Sequence, residues 1–442
     1  MKNQYLKMNG ISATILLCLC GSSYAGAQDN AKGFVEGASL HMQNRVLYEQ
    51  LDYKNGSSYR AINRVRNFDK AEESAYGLML NFQSGYTRGV VGLGVDAHAY
   101  AGVNLGTDAD SARGRYVATE GLDVKDNFGR VGAALKLRVS STELKFGEMR
   151  TKNPIFHSSD SRLLPETNRG FLITSGDIPA LNLQVGHFTK WTDRNARKNG
   201  NDLLANYSGK NGDSFSFAGG SWTTPVKGLS VTSYYGQYED NWQTWYLGSF
   251  YKIALADKES LSFSLNLYNN SDTGQARSGQ IDTTTWSLMS TYAFGPHKVG
   301  LGYQKVNGDN PFDYVNRGSI WLENSMQISD FNAPNEASWQ IKYDVDLSQM
   351  LTPGLSAGIA YTRGTGIDYS RMNGVYAGYL GYKGTQGRHW ERDMIVRYTM
   401  QEGLAKGLHL QMRYSVHRAN KDQGEANVNQ VRFTAEMPVN IF

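Results

Sequence analysis

The chain has 442 residues, with 45 basic and 41 acidic side chains, a formal charge of +4, 40% hydrophobic and 12% aromatic residues, and a mean hydropathy of −0.49. That aromatic content excludes a disordered chain, the near-balanced charge gives no reason to expect a nucleic-acid partner, and no apolar run outside the N-terminus reaches the roughly 18–20 residues of a spanning helix. A membrane β-barrel stays open, because strand alternation hides its apolar surface from any average.

The N-terminus reads as a targeting segment. Lys2 and Lys7 precede an apolar stretch, Ile11 to Cys20, and then Ser23-Tyr24-Ala25 or Ala25-Gly26-Ala27 supplies small residues for cleavage. We therefore expect residues 1–27 to be a secretory signal peptide and 28–442 a single domain. A lipoprotein signal is disfavoured because the large Leu17 and Leu19 precede Cys18 and Cys20. Both cysteines leave with the signal, so the exported chain has no disulfide staple.

The remainder alternates. Period-two patterning predicts strands at Phe34–Tyr48, Ser74–Tyr86, Val90–Tyr100, Phe128–Ser140, Thr142–Glu148, Gly170–Thr174, Leu181–Lys190, Ser214–Trp222 and Leu229–Tyr238. It continues at Thr244–Ile253, Leu261–Tyr268, Thr283–Phe294, Lys298–Lys305, Ser338–Leu347, Leu355–Arg363, Glu391–Met400, Leu408–Arg418 and Gln430–Asn440. Short links (Ser140–Thr142, Gly176–Pro179, Ala256–Glu259, Gly295–Pro296, Gly403–Lys406) tend to alternate with long ones (Gln50–Glu73, Ala101–Asn127, Met149–Arg169, Trp191–Gly212, Lys305–Asn335, Arg363–His389). Apolar stretches at Leu203–Tyr207 and Val375–Tyr382 are assigned to loops. The expected fold is all-β: a transmembrane antiparallel barrel of about eighteen strands with short periplasmic turns and long external loops, wide enough for an aqueous lumen. Tyr and Trp near strand ends suit interfacial girdles, though they are also ordinary strand formers.

Tyr303-Gln-Lys-Val-Asn-Gly-Asp309, Asn324-Ser-Met-Gln-Ile-Ser-Asp-Phe331 and Ser338-Trp-Gln-Ile-Lys-Tyr-Asp-Val-Asp346, with Asp160-Ser-Arg-Leu-Leu-Pro-Glu-Thr167 and the Gly after Arg169, are distinctive segments. They resemble the OprD family of substrate-specific outer-membrane porins of Gram-negative bacteria. Ser84-Gly-Tyr-Thr-Arg-Gly-Val-Val-Gly-Leu-Gly-Val-Asp96, Leu135 to Lys145, and Glu391-Arg-Asp393 leading to Gln401-Glu-Gly403 extend the similarity across the exported chain. The resemblance implies eighteen strands, a third and a seventh loop folded inward as an eyelet, and passive uptake of small carboxylate-bearing nutrients, with carbapenem-type antibiotics as further passengers. One departure is the C-terminus, where Phe442 stands one residue off the apolar register of Val431, Phe433, Ala435, Met437, Val439 and Ile441.

Charge in mid-strand should face the lumen, since a basic side chain facing lipid at the midplane costs roughly 2–4 kcal/mol. This places Arg45, Arg130, Lys136, Arg138, Lys145, Arg397, Arg413 and Arg432 inward, with His409 and His417 beside Arg413. If the last strand pairs with the first, Arg397, Arg413, Arg432 and Arg45 fall on four neighbouring strands and form a basic wall that carboxylates could descend. The competing reading is that they pair with lumen acids such as Asp96, Asp344, Asp393 and Glu436. Asp160, Ser161 and Arg162 of the third loop and Asp309, Asp313, Tyr314, Glu323, Ser325 and Asp330 of the seventh are the eyelet candidates, although several could simply cap turns.

No histidine spacing suggests a metal ligand set, and no cofactor motif or catalytic triad is evident, so no metal, cofactor or catalytic residue is expected. The expected partners are outer-membrane lipid and lipopolysaccharide, small carboxylates, and at most copies of the same chain, as monomer or homotrimer. The alternatives are an adhesin or receptor working through its long loops, a barrel enzyme, or a soluble secreted β-protein.

Overall fold

The computed structural model describes residues 26–442 apart from 62, 63, 121 and 122, with side chains described outside 55–68. The expected signal peptide therefore lies outside the described residues up to residue 25. Eighteen antiparallel strands form one sheet. They are β1 (Ser39–Ala61), β2 (Arg64–Gln83), β3 (Val91–Asn104), β4 (Asn127–Val139), β5 (Thr142–Met149), β6 (Thr167–Ser175), β7 (Leu181–Thr192), β8 (Phe215–Thr223) and β9 (Leu229–Tyr238). The second half comprises β10 (Trp242–Ala256), β11 (Glu259–Asp272), β12 (Asp282–Phe294), β13 (His297–Asn307), β14 (Ala337–Asp346), β15 (Leu355–Ile367), β16 (Gly387–Thr399), β17 (His409–Ala419) and β18 (Val428–Asn440).

Each strand pairs with its neighbours in sequence, and β18 pairs with β1 from His41↔Asn440 to Tyr53↔Val428, so the sheet closes without an edge. Closure satisfies every strand's backbone groups within the barrel, which the hydrocarbon of a bilayer demands. Along the wall, exposure alternates with burial. Leu93, Val131, Leu135, Phe146, Trp245, Leu301, Trp339, Ile341, Met412 and Phe433 are exposed apolar side chains facing outward. Their neighbours in the other register, among them Glu49, Gln304, Gln340, Thr362, Glu391 and Gln430, are buried and polar. This is the apolar-out, polar-in pattern of a membrane barrel. No described helix is long and apolar enough to cross a membrane.

The expected strands match those observed, with three corrections. Gln50–Glu73 is not a loop: β1 and β2 run on as a long hairpin, paired to Ala61↔Arg64 with an irregularity between Asp52 and Ser57. The sequence of its outer part carries no apolar alternation, so patterning does not mark the strand there. The link between β9 and β10 is short although it lies at the loop end. The stretch read as a loop at Val375–Tyr382 contains a helix, α1 (Gly374–Leu380), capped by the Asn373 side chain accepting from the Val375 and Tyr376 N–H groups. The off-register Phe442 is still tied in, its carbonyl accepting from Leu40 N at 3.1 Å.

Four external segments turn inward and pack against the inner wall. Phe156 of residues 150–166 stacks on Phe215 with centroids 4.8 Å apart and also meets Phe188 and Phe217, all buried. Leu163 and Leu164 join Tyr116 and Val117 of residues 105–126 against Leu47, Ala75, Met79 and Tyr100 of the wall. Leu203 and Tyr207 of residues 193–214, and Phe312, Tyr314 and Val315 of residues 308–336, complete the larger of these inner clusters. The lumen is thus narrowed by apolar packing behind the loops and left polar where they face one another.

Candidate channel eyelet

A cavity of about 570 Å³ lies where these segments meet. Arg115, Ser161, Arg162, Arg194 and Arg317 line it on the basic side, with Tyr207, Tyr314, Ser325, Gln327 and Asp330 also at its surface. Asp330 accepts hydrogen bonds from the Tyr207 and Tyr314 hydroxyls at 2.8 and 2.9 Å. Burial pushes its carboxyl above the usual range, and the two phenols oppose that shift. Burial also lowers the Arg162 guanidinium well below its ordinary value, with Arg115, Arg432 and Arg194 adding repulsion. Three positive neighbours around a partly exposed guanidinium at the cavity surface make a place that favours an arriving anion.

The loop residues expected at the eyelet divide. Ser161, Arg162, Tyr314, Ser325 and Asp330 line the cavity. Asp160 sits outside it as a brace, pairing with Arg45 at 2.8 Å and Arg150 at 3.0 Å. Asp309 meets Arg371 of residues 368–386 at 3.0 Å, also away from the cavity. Asp313 caps the local backbone, accepting from the Tyr207, Ser208 and Tyr314 N–H groups at 2.8–2.9 Å.

The wall residues divide in the same way. Arg397, Arg413, Arg432 and Arg45 do occupy the adjacent strands β16, β17, β18 and β1, with Arg413 directly opposite Arg432. Arg45 is 7% exposed and holds Glu436, Asp160 and the Arg162 carbonyl at 2.6–2.8 Å, so it fastens the third loop to the wall. Arg130 is buried and donates to the Pro165 carbonyl, doing the same from β4. Lys136 is buried, paired with Asp96 at 2.6 Å and donating to the Ser84 carbonyl. Burial leaves these three only 6–7% exposed, so they act chiefly as braces for loop and wall. Arg432 is also 7% exposed, pairs with Glu49 at 3.2 Å and shares the Gln327 side-chain oxygen with Arg413. Arg413 and Arg397 stay partly open, 3.8 Å from Asp393 and 3.7 Å from Asp344 respectively. Arg138 is partly exposed beside the short turn that follows β4, over the Tyr86 ring. Lys145 pairs with Asp96 at 2.7 Å.

Sequence patterning missed Arg115, Arg194, Arg317, Tyr207 and Gln327. All lie in long inter-strand segments that carry no period, and their only signal is local enrichment in charge, as in Arg113-Gly-Arg115 and Asp193-Arg-Asn-Ala-Arg-Lys198.

The family model described as "outer membrane porin, OprD family" matches residues 32–441. The chain belongs to the OprD family of outer-membrane porins. It is 38% identical over 430 residues to Porin D of Pseudomonas aeruginosa, covering 95% of this chain and 94% of that protein. The crystal structure of OprD from the same organism superposes with a TM-score of 0.81 at 36% identity, covering 95% of this chain and all of that one. A structure of Pseudomonas aeruginosa OpdK with vanillate superposes with a TM-score of 0.82 at 31% identity over 92% of this chain and all of that one. Membership in this family and the closed eighteen-strand barrel place this OprD-family porin in the bacterial outer membrane.

Proposed function

We propose that this porin conducts small carboxylate-bearing solutes, such as amino acids and organic or aromatic acids, by passive diffusion through the arginine-flanked eyelet. Carbapenem-type antibiotics, which carry a carboxylate, are further candidates. Residues 1–27 direct export, and 28–442 form the channel. The observation that carries the reading is the cavity where Arg115, Arg162, Arg194 and Arg317 converge from four different loops. Guanidinium grips a carboxylate through two parallel hydrogen bonds yet is weakly hydrated, so a carboxylate can exchange water for it at modest cost. Below the eyelet, Arg413 and Arg397 stand about 7 Å apart in register, since Arg397 pairs with Gln411. They offer successive weak stops rather than one trap, which flux requires. Asp330 and its two tyrosines supply acceptors for the ammonium group of an amino acid. The vanillate held by OpdK is an aromatic acid anion and fits the same preference.

The test is uptake into proteoliposomes of paired solutes matched in size, each carboxylate against its amide. Carboxylates should enter several-fold faster, and Arg413→Gln with Arg397→Gln should reduce that ratio while leaving amide entry unchanged. Equal entry of acid and amide into the wild-type channel would overturn the reading.

A further inference from the structure

We propose that His389, His417 and Glu425 form a binding site for a divalent transition-metal ion of the zinc class, at the outer end of the lumen. The site is separate from the eyelet and does not depend on the substrate reading. His389 lies on β16, His417 on the facing strand β17, and Glu425 in the last external loop, residues 420–427. Because Glu391 pairs with His417 and His389 with Ala419, the two imidazoles are diagonal neighbours on the inner face. Spacing along a single strand could not reveal this.

Proton counting makes the case. His417 Nδ1 lies 2.9 Å from the Ala426 carbonyl, which can only accept, so the proton sits on Nδ1 and Nε2 presents a lone pair. His389 Nε2 lies 2.6 Å from a Glu336 carboxylate oxygen, which places the neutral ring's proton there and leaves a lone pair on Nδ1. These two lone pairs face each other at 3.0 Å. Glu425 Oε2 approaches them at 3.1 and 3.4 Å, is shut off from solvent and receives no hydrogen bond. Two lone pairs and a carboxylate oxygen converging in a buried place repel one another unless a cation lies among them.

The triangle also has the right size. Tetrahedral zinc with bonds of about 2.0–2.1 Å sets its ligand atoms roughly 3.3 Å apart, and the edges here are 3.0, 3.1 and 3.4 Å. The outer partners are those of a metal-bound histidine: one imidazole donates to a carboxylate, the other to a backbone carbonyl. The remaining Glu425 oxygen accepts from the Ser329 hydroxyl at 3.1 Å, which fixes the carboxylate's orientation. Two imidazoles and one carboxylate suit zinc and its neighbours, whereas calcium and magnesium prefer all-oxygen shells. A bound ion would join β16, β17 and the last loop. Through Ser329 and Glu336 it would also fasten both the inner part and the root of the seventh loop.

The rival is a proton: an imidazolium at His389 would relieve the same repulsion. Zinc titration of the detergent-solubilised full barrel, stripped with a chelator, separates the two. Calorimetry and elemental analysis after gel filtration should find about one zinc per chain with release of protons. His417→Ala and Glu425→Gln should each weaken binding about tenfold or more, while His187→Ala on β7 should not. Millimolar calcium should fail to compete. Heat-modifiable migration on a gel reports whether each variant still folds, and the near-isosteric Glu425→Gln carries the test if His417→Ala does not. Substoichiometric zinc in the wild-type protein, or unchanged binding in a folded Glu425→Gln, would leave only the proton and overturn the proposal.

Discussion

Glu166 shows how single residues set the geometry of this channel. It is 1% exposed, at the end of the third loop, and accepts from Ser159 N at 2.7 Å and from Arg317 N of the seventh loop at 2.8 Å. Burial pushes its carboxyl up to about 7. A carboxyl raised in the folded state favours folding most where it is protonated in both states. Its contribution is complete below an unfolded value of 4.5 and declines as pH rises to about 7, then stays flat. The shift corresponds to about 3 kcal/mol at most. Glu166→Gln should remove this slope, read as the difference in urea midpoint between pH 5 and pH 8. A variant with the wild-type slope would show that Glu166 does not titrate in this window. The residue scale also shows where reading from sequence stops. Arg45 and Arg413 looked alike in sequence, both basic and both in the inward register. What distinguishes a brace from a contact surface is how fully the loops cover each one, Arg45 almost wholly and Arg413 only in part through Gln327, and that cover is tertiary information.

At the scale of elements, the strands were legible and the loops mostly were not. A strand half in lipid must alternate, so β11 and β14 announce themselves within eight or ten residues. A loop folded into the lumen is held by contacts distant in sequence, such as Phe156 on Phe188, Phe215 and Phe217, and has no period to read. The family resemblance supplied the inward fold of the third and seventh loops, but nothing in the patterning pointed to residues 105–126 and 193–214 as their companions. Phe156 is 3% exposed and anchors the third loop. Phe156→Ala forfeits its stacked contacts, a change that costs about 3–5 kcal/mol in a packed core. The strands do not depend on it, so the barrel should persist while the loop loosens. Single-channel recordings in planar bilayers should then show larger and noisier conductance steps, with heat-modifiable migration intact. Unchanged steps would mean that the aromatic cluster does not hold the constriction.

For the whole molecule, the formal charge of +4 conceals an uneven distribution. Lys136 and Arg45 are buried cations held in short pairs with Asp96 and Glu436, whereas Arg397 and Arg413 are themselves partly open to the lumen. Salt acts differently on the two groups. The screening length falls from about 10 Å at 0.1 M to about 3 Å at 1 M, while enclosed pairs are screened much less. Two consequences should separate cleanly in one preparation. Raising salt from 0.1 to 1 M should lower the carboxylate-to-amide uptake ratio several-fold, because attraction from partly exposed arginines reaches across water. The urea midpoint of the barrel should move little over the same range, because the cations of the bracing pairs are buried and short-range contacts there are screened less. If uptake preference were instead unaffected by salt, selection would rest on contact and shape within the eyelet rather than on the field of the wall. If stability fell in parallel with preference, the bracing pairs would be more open to solvent than their burial implies.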